Sequence, residues 1–406
     1  MSVRIIAGDC RDVLRTLPEA SVDSVVTDPP YHLTQASRGG HARTNNPDMP
    51  HGRHRIGDKG FMGKQWDGGD VAFRAETWVE VLRVLKPGGH LVAFGGTRTY
   101  HRMVCAIEDA GFEIRDQLGW VYGSGFPKSR NLGGEWKGWG TALKPAWEPI
   151  VLARKSLVGT VEANVHAHGT GALNIDGCRI PADDEAYARN HSGDRGHGGT
   201  RSIDDTGATS MRPGGGNASA TGRWPANILH DGSEEVMAAF PQASGAVAPV
   251  TNRNADGDAT RNAYGKYRGG RATSDQRDGG GSAARFFYCA KADRADRNAG
   301  LDGMPERPLL WSSGEQNPGA FQSSNTKRAA QNNHPTVKPT DLMRWLCRLI
   351  TPPGGIVLDP FAGSGSTLKA AEMEGFSAIG VELEAEYIEI ARRRIASDAP
   401  LFAEVA

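Results

Sequence analysis

Residues 356–367 read IVLDPFAGSGST, and the fold depends on how this stretch is taken. Ile356, Val357 and Leu358 form a strand pattern that ends on Asp359. Gly363 and Gly365 then make a tight G-x-G turn, and Ser366 and Thr367 open a helix. Glycines in such a turn let backbone N–H groups approach a ligand closely, and a helix N-terminus favours negative charge. Glu382 ends the next strand pattern, SAIGVELE, at the spacing of an acid that accepts hydrogen bonds from ribose hydroxyls. No Lys-Ser/Thr pair follows the glycines, so this is not a P-loop, and the full G-x-G-x-x-G of dinucleotide enzymes is missing. A G-x-G alone also serves a merely structural strand–helix turn. The strand before it and Glu382 after it favour a nucleoside cofactor.

On either side of this turn, HPTVKPTDLMRWLCRLITPPGG supplies a helix over 340–350 and a Pro-Pro-Gly-Gly break, and a last helix is expected over 385–395. The N-terminal part has the same rhythm. VRIIAGD is a strand ending at Asp9, CRDVLRTLP is a helix with Val13, Leu14 and Leu17 on one face, and SVDSVVTD is a second strand. AETWVEVLRVLKPGG reads as a helix with Trp78, Leu82 and Leu85 on one face, stopped by Pro-Gly-Gly. HLVAFGG, LGWVYGSG and PIVLARK add strands, and TYHRMVCAIEDAGF adds a helix. Strands alternating with helices argue for an α/β sheet with parallel strands. In such a sheet the carboxyl ends of strands line one crevice, so Asp9, Asp28, the glycine turn and Glu382 are expected to converge.

The second strand runs into SVVTDPPYHL, residues 24–33. A Pro-Pro pair after an acid is also what an ordinary surface turn looks like. Its meaning therefore rests on the rest of the chain.

Lys+Arg and Asp+Glu both number 47 in 406 residues, so any nucleic-acid surface must be local. Mean hydropathy is -0.47, and 53 glycines point to loop-rich regions. No run approaches the ~18 apolar residues of a membrane span, and MSVRIIAGDC lacks a secretory pattern. A cytoplasmic protein with no membrane partner is expected. Cys10, Cys105, Cys178, Cys289 and Cys347 are scattered without a C-x-x-C, which indicates neither a disulfide framework nor a zinc site. His51 with His54, and His166 with His168, lack the acid or cysteine that would complete a metal set.

From about Ser156 to Asn332 the strand–helix rhythm disappears into Gly-, Asn-, Ser- and Arg-rich sequence. Ordered islands such as GALNIDGCRI, RWPANILHD and ARFFYCAKA suggest a partly ordered insert with long mobile loops. Residues 251–300 hold ten Lys/Arg against six Asp, interleaved with Tyr264, Tyr267, Phe286, Phe287 and Tyr288. That pattern suits a nucleic-acid contact and a solvated loop equally.

TDPPY together with DPFAGSGST resembles the amino-group DNA methyltransferases that use S-adenosylmethionine. The order, with DPPY first, an insert next and FAGSGS last, resembles their permuted β class. Further stretches look like that family, among them WVYGSGFPKS, LKPAWEPIVLARK and IGVELEAEYIEIARRRI, and the insert islands resemble phage and prophage members. The resemblance covers roughly 1–157 and 330–396. It implies a Rossmann-like α/β fold with a mostly parallel seven-stranded sheet, split into a DPPY half at 1–157, a target-recognition insert at 158–329 and a cofactor half at 330–406.

By the same resemblance, Asp28 and the Pro29 carbonyl accept the two N–H bonds of an extruded adenine amine. Pro29 and Pro30 hold that carbonyl rigid, and Tyr31 stacks on the base. Phe361, Gly363 and Gly365 cradle the methionine part of the cofactor, and Ala362, Ser366, Asp28 and Asp359 are further cofactor contacts. Glu382 takes the ribose and Asp9 the adenine, with Cys10 adjacent, while Lys338 and Thr367 are supporting contacts. The implied partner is double-stranded DNA, and a homodimer and a cognate restriction endonuclease are further partners of such enzymes.

A cytosine C5 enzyme needs a nucleophilic Cys after a Pro, and the residues before these five cysteines are Asp9, Val104, Gly177, Tyr288 and Leu346. An N4-cytosine methyltransferase shares nearly all the chemistry; in the family, Asp at position 28 leans towards adenine. A non-catalytic DNA-binding protein would explain a basic insert but not the intact glycine turn and DPPY.

Overall fold

A computed structural model describes residues 2–31, 69–125, 129–182, 201–203, 209–211, 222–243, 247–251, 259–262, 265–268, 272–276, 280–290, 294–308, 329–334, 336–398 and 404–405. Two compact units emerge. The first comprises Met1–Cys178, Asn227–Ser233 and Cys289–Ala406; the second comprises Arg179–Ala226 and Glu234–Tyr288.

The first unit is built on seven strands: β1 Ser2–Ala7, β2 Val22–Thr27, β3 Leu85–Phe94, β4 Glu113–Val121, β5 Trp147–Arg154, β6 Ile356–Asp359 and β7 Ser377–Glu382. Their order across the sheet is β4-β5-β3-β2-β6-β7-β1. Neighbours from β3 through β1 run parallel, and β5 lies antiparallel to both β3 and β4. The mostly parallel seven-stranded sheet expected from the sequence is therefore present. Short strands extend it at both edges, Ile228–His230 beside β4 and Glu404–Val405 beside β1. Ile228–His230 belongs to the insert island RWPANILHD, so part of the insert pairs with the main sheet.

The flanking helices are α1 Cys10–Thr16, α2 Ala75–Val84, α3 Tyr100–Asp109, α4 Thr340–Ile350, α5 Ser366–Met373 and α6 Ala385–Asp398. Parallel strands covered on both faces read as apolar runs, and every residue of β2 is buried. Trp78, Val81 and Val84 of α2 pack with Leu14, Val25, Leu91 and Leu358 in one core. The helix boundary at α2 departs from the sequence expectation. The helix ends at Val84, and Leu85 already begins β3. Lys86 precedes a proline, Pro87 has no N–H, and Gly88 sits at φ +74, so Lys86–Gly89 cannot continue a helix. They form an irregularity in the β2–β3 pairing between Val22 and Ser24.

In the second unit, Val247–Thr251 pairs antiparallel with Ala272–Gln276, and the hairpin Ala259–Asn262 with Gly265–Arg268 lies between them in sequence. The polar loop expected from His32 to about Asp70 lies outside the described residues as far as residue 68, and so does much of the sequence expected as long loops of the insert, although these paired strands fall within it. No helix among the described residues is long and apolar enough to cross a membrane.

Candidate active site

A cavity of about 480 Å³ opens in the first unit at the carboxyl ends of β1, β2, β6 and β7. It is lined by Asp9 and Cys10 after β1, by Asp28, Pro29, Pro30 and Tyr31 after β2, by Asp359 through Gly363 with Ser366 and Thr367 after β6, and by Glu382 at the end of β7. Lys338, just before α4, completes the wall. The two sequence groups, far apart in the chain, thus meet in one space. Among the residues singled out in the sequence, Gly365 alone does not line it. Gly365 caps α5 at φ +78, and a Cβ there would approach the Ala391 Cβ on α6 to 2.8 Å. Its role is close helix packing beneath the turn.

Asp28 is held on both oxygens. The Tyr31 hydroxyl donates to Oδ1 at 2.7 Å, and the Lys338 ammonium donates to Oδ2 at 2.8 Å. Lys338 also donates to the Tyr31 oxygen at 3.1 Å and lies 3.1 Å from Glu148 Oε2 on β5. The Lys338 ammonium sits 4.8 Å from the Phe94 ring centroid. Burial alone would lower the pKa of Lys338, but the charges of Asp28 and Glu148 outweigh it and raise the pKa above the usual lysine range. Burial raises the Tyr31 phenol, and Asp28 adds to the effect. Thr99 Oγ1 donates to the Tyr31 carbonyl at 2.9 Å and fixes the end of the DPPY segment.

The glycine turn is tied to both neighbouring strands. The Gly363 N–H donates to Glu382 Oε2 at 2.8 Å, and the Glu384 N–H donates to Oε1 at 2.8 Å. Burial pushes the Glu382 pKa up against these two bonds. Asp359 accepts from Thr27 Oγ1 at 2.6 Å and from the Phe361 N–H at 3.1 Å. Burial still lifts its pKa to about 6. Asp9 caps α1 and takes a two-pronged grip from the Arg11 guanidinium at 3.0 and 2.7 Å, which lowers its pKa.

Beneath the turn, the fully buried Arg394 donates to the Ser364 carbonyl at 2.7 Å and to the Ser366 hydroxyl at 3.1 Å. Asp296, on the short helix Arg294–Asn298, accepts from the Thr340 N–H at 2.9 Å and from Lys369 at 3.0 Å. His334 packs over Gly363, where a Cβ would come within 2.8 Å of its Nε2. Burial, helped by the positive Arg297, lowers the His334 pKa to about 3 and keeps the ring neutral.

Glu148, Tyr122, Val71 and His334 also line the cavity and were not singled out in the sequence. Glu148 stands in LKPAWEPIVLARK and His334 opens HPTVKP, two family-like stretches in which neither residue alone signals a role.

The DNA methylase family N6_N4_Mtase matches this chain over residues 22–393, and the chain belongs to that family. The DNA adenine methyltransferase YhdJ of Escherichia coli (strain K12) is 46% identical over 63 residues, 16% of this chain and 21% of that protein. The type II methyltransferase M.HindIII of Haemophilus influenzae is 26% identical over 189 residues, covering 40% and 61% respectively. Even the longer of these two matches spans less than two thirds of the relative's own length. Among solved structures, the cytosine-N4-specific PvuII DNA methyltransferase aligns at TM-score 0.44 and 14% identity, covering 100% of this chain and 89% of that one. A putative DNA modification methylase from Thermus thermophilus, complexed with S-adenosyl-L-methionine, aligns at TM-score 0.40 and 18% identity over 100% and 99%.

Proposed function

We propose that this chain transfers a methyl group from S-adenosylmethionine to the exocyclic N6 amine of an adenine extruded from double-stranded DNA. The observation that carries this reading is the meeting of Asp28, Tyr31, Gly363 and Glu382 around one cavity. The cavity suits the cofactor. Its volume of about 480 Å³ falls within the range of small-molecule sites, roughly 300–1,000 Å³. Phe361, Val71, Val381 and Leu383 give apolar walls for an adenine ring, and Glu382 and Asp9 give carboxylates for hydroxyl and amine hydrogens.

When bound, S-adenosylmethionine supplies an electrophilic sulfonium methyl. The protein's task is to make a poor nucleophile attack it. The lone pair of an aromatic amine is delocalised into the ring, and acceptors on its two N–H bonds draw the nitrogen towards a tetrahedral geometry. Asp28 supplies one acceptor. A carboxylate has about four acceptor positions, so bonds from Tyr31 and Lys338 leave room for an amine hydrogen. The Pro29 carbonyl supplies the other acceptor, with its direction set by two prolines of fixed φ. Lys338, anchored by Glu148 and backed by the Phe94 ring, keeps the Asp28 carboxylate in one orientation.

The insert 158–329 takes the role of target recognition in this reading, on the basic and aromatic sequence of 251–300, most of which lies in the second unit. A homodimer and a paired restriction endonuclease belong to the same reading. N4-cytosine transfer is the second reading, since the family N6_N4_Mtase takes in N6 and N4 methylation alike. Incubating the protein with labelled S-adenosylmethionine and duplex DNA, then separating the nucleosides, decides between them. Label in N6-methyladenine supports the proposal, and label in N4-methylcytosine replaces it.

A further inference from the structure

Between β4 and β5 the chain makes a long excursion, of which residues 129–146 are almost wholly exposed. This is an ordered element. Thr141 N–H bonds Ser129 Oγ at 2.8 Å, Arg130 N–H bonds Thr141 Oγ1 at 2.9 Å, and Leu132 N–H bonds the Trp139 carbonyl at 2.9 Å. Trp139 N–H in turn bonds the Trp136 carbonyl at 3.0 Å. The backbone is thus tied to itself while it presents side chains that folded proteins normally hide. Trp136 is 56% exposed, Trp139 62% and Leu143 92%, with the two indoles edge-to-face at 5.3 Å. A contiguous exposed aromatic patch on a polar chain marks an interaction surface.

Two features identify the occupant. Within 129–146 the charged residues are Arg130, Lys137 and Lys144 against the single acid Glu135, in a chain whose overall charge is zero. That local excess complements a phosphate backbone. The base of the excursion also adjoins the chemistry, because Tyr122 and Pro145 at its two ends line the same cavity as Asp28. Tyr122 N–H bonds the Ala146 carbonyl at 3.0 Å and closes the stalk there.

We propose that 129–146 is a DNA-contacting platform. Trp136 and Trp139 stack on base faces opened beside the extruded nucleotide, and Arg130, Lys137 and Lys144 meet the flanking phosphates. The inference rests on the DNA methyltransferase reading. It places duplex contacts on the first unit, in addition to any made by the second.

The test compares the full-length protein with Trp136→Ala/Trp139→Ala and, separately, with Lys137→Glu/Lys144→Glu. Each is measured for binding of a fluorescent duplex that the wild type methylates and for cofactor affinity by calorimetry. All four substituted residues are exposed, so unchanged cofactor affinity certifies the fold of each variant. Base–aromatic stacking of ~1–3 kcal/mol corresponds to about a 5- to 100-fold rise in the Kd for DNA in the tryptophan variant. In the lysine variant the log–log salt dependence of DNA binding should flatten by about one for each phosphate that is no longer neutralised. DNA affinity within about twofold of wild type in both variants would overturn the platform. So would a wild-type dimer that the tryptophan substitutions turn into a monomer, because the occupant would then be a second copy of this chain. A wild type that methylates no duplex would instead remove the underlying reading, and that outcome is visible before any variant is made.

Discussion

The Lys338 ammonium lies 2.8 Å from Asp28 Oδ2, although 310 residues separate the two in sequence. The same nitrogen lies 3.1 Å from Glu148 Oε2. One buried cation therefore fastens the DPPY segment after β2 to β5 and to the approach to α4.

Replacing it tests that arrangement. In Lys338→Met, two carboxylates share a partly buried site without the cation between them, and their like charges repel. Breaking a buried ion pair on one side costs about 3–5 kcal/mol, so chemical denaturation should show a loss of that order. Glu148→Gln, which leaves the Lys338–Asp28 contact in place, should show a much smaller loss. Stability unchanged in Lys338→Met would remove the ammonium from this role.

Gly365→Val tests the turn from below. A Cβ at this position would sit 2.8 Å from the Ala391 Cβ, and φ is +78, so the substitution both clashes and strains the backbone. The expected result is a fall in melting temperature even without cofactor, by overpacking of about 1–3 kcal/mol or more. An unaltered melting temperature with abolished cofactor binding would instead put the Gly365 side-chain position in the cofactor's space.

Asp359 gives a pH signature. Its pKa in the folded protein is raised to about 6 from 3.8, mainly by burial. The folded state then binds more protons than the unfolded chain between those values, so this group makes stability fall as pH rises through that window. The penalty is constant above it, at roughly 3 kcal/mol. Asp359→Asn keeps an acceptor for Thr27 and Phe361 N–H and removes the charge. Denaturation curves of wild type and variant should therefore diverge between about pH 4 and pH 6, with the variant more stable at pH 7. Cofactor affinity should drop in the same variant if the carboxylate faces the ligand. Parallel stability curves across that range would contradict the burial account.

Much of the fold was legible because its signals are local. The strand into Asp359, the glycine turn and the helix over 340–350 need only neighbouring residues, and all appear where the pattern places them. The α2–β3 boundary was less legible. Leu85 continues the helical apolar spacing, yet the following Lys-Pro-Gly-Gly draws it into the strand. The site was legible as a set of strand ends but not as a set of bonds. Glu148 is one acid in an apolar strand, and only the folded sheet shows that it meets Lys338. The roles of Arg11 on Asp9 and of Arg394 under Ser364 depend on side-chain reach, which spacing does not carry. The family resemblance makes Gly365 a cofactor contact, whereas in the fold its missing side chain makes room for α6.

In the proposed reaction Asp28 activates an adenine amine in DNA for methyl transfer. The most direct measurement is single-turnover transfer of label from S-adenosylmethionine to duplex DNA by wild type and Asp28→Ala, with the labelled nucleoside identified and cofactor affinity measured alongside. The proposed reaction yields N6-methyladenine from the wild type. Its rate should be lower by roughly 10²–10⁴ in Asp28→Ala, equivalent to ~3–5 kcal/mol, with cofactor affinity largely retained. A near-normal rate in Asp28→Ala, or label that never reaches an adenine, would contradict it.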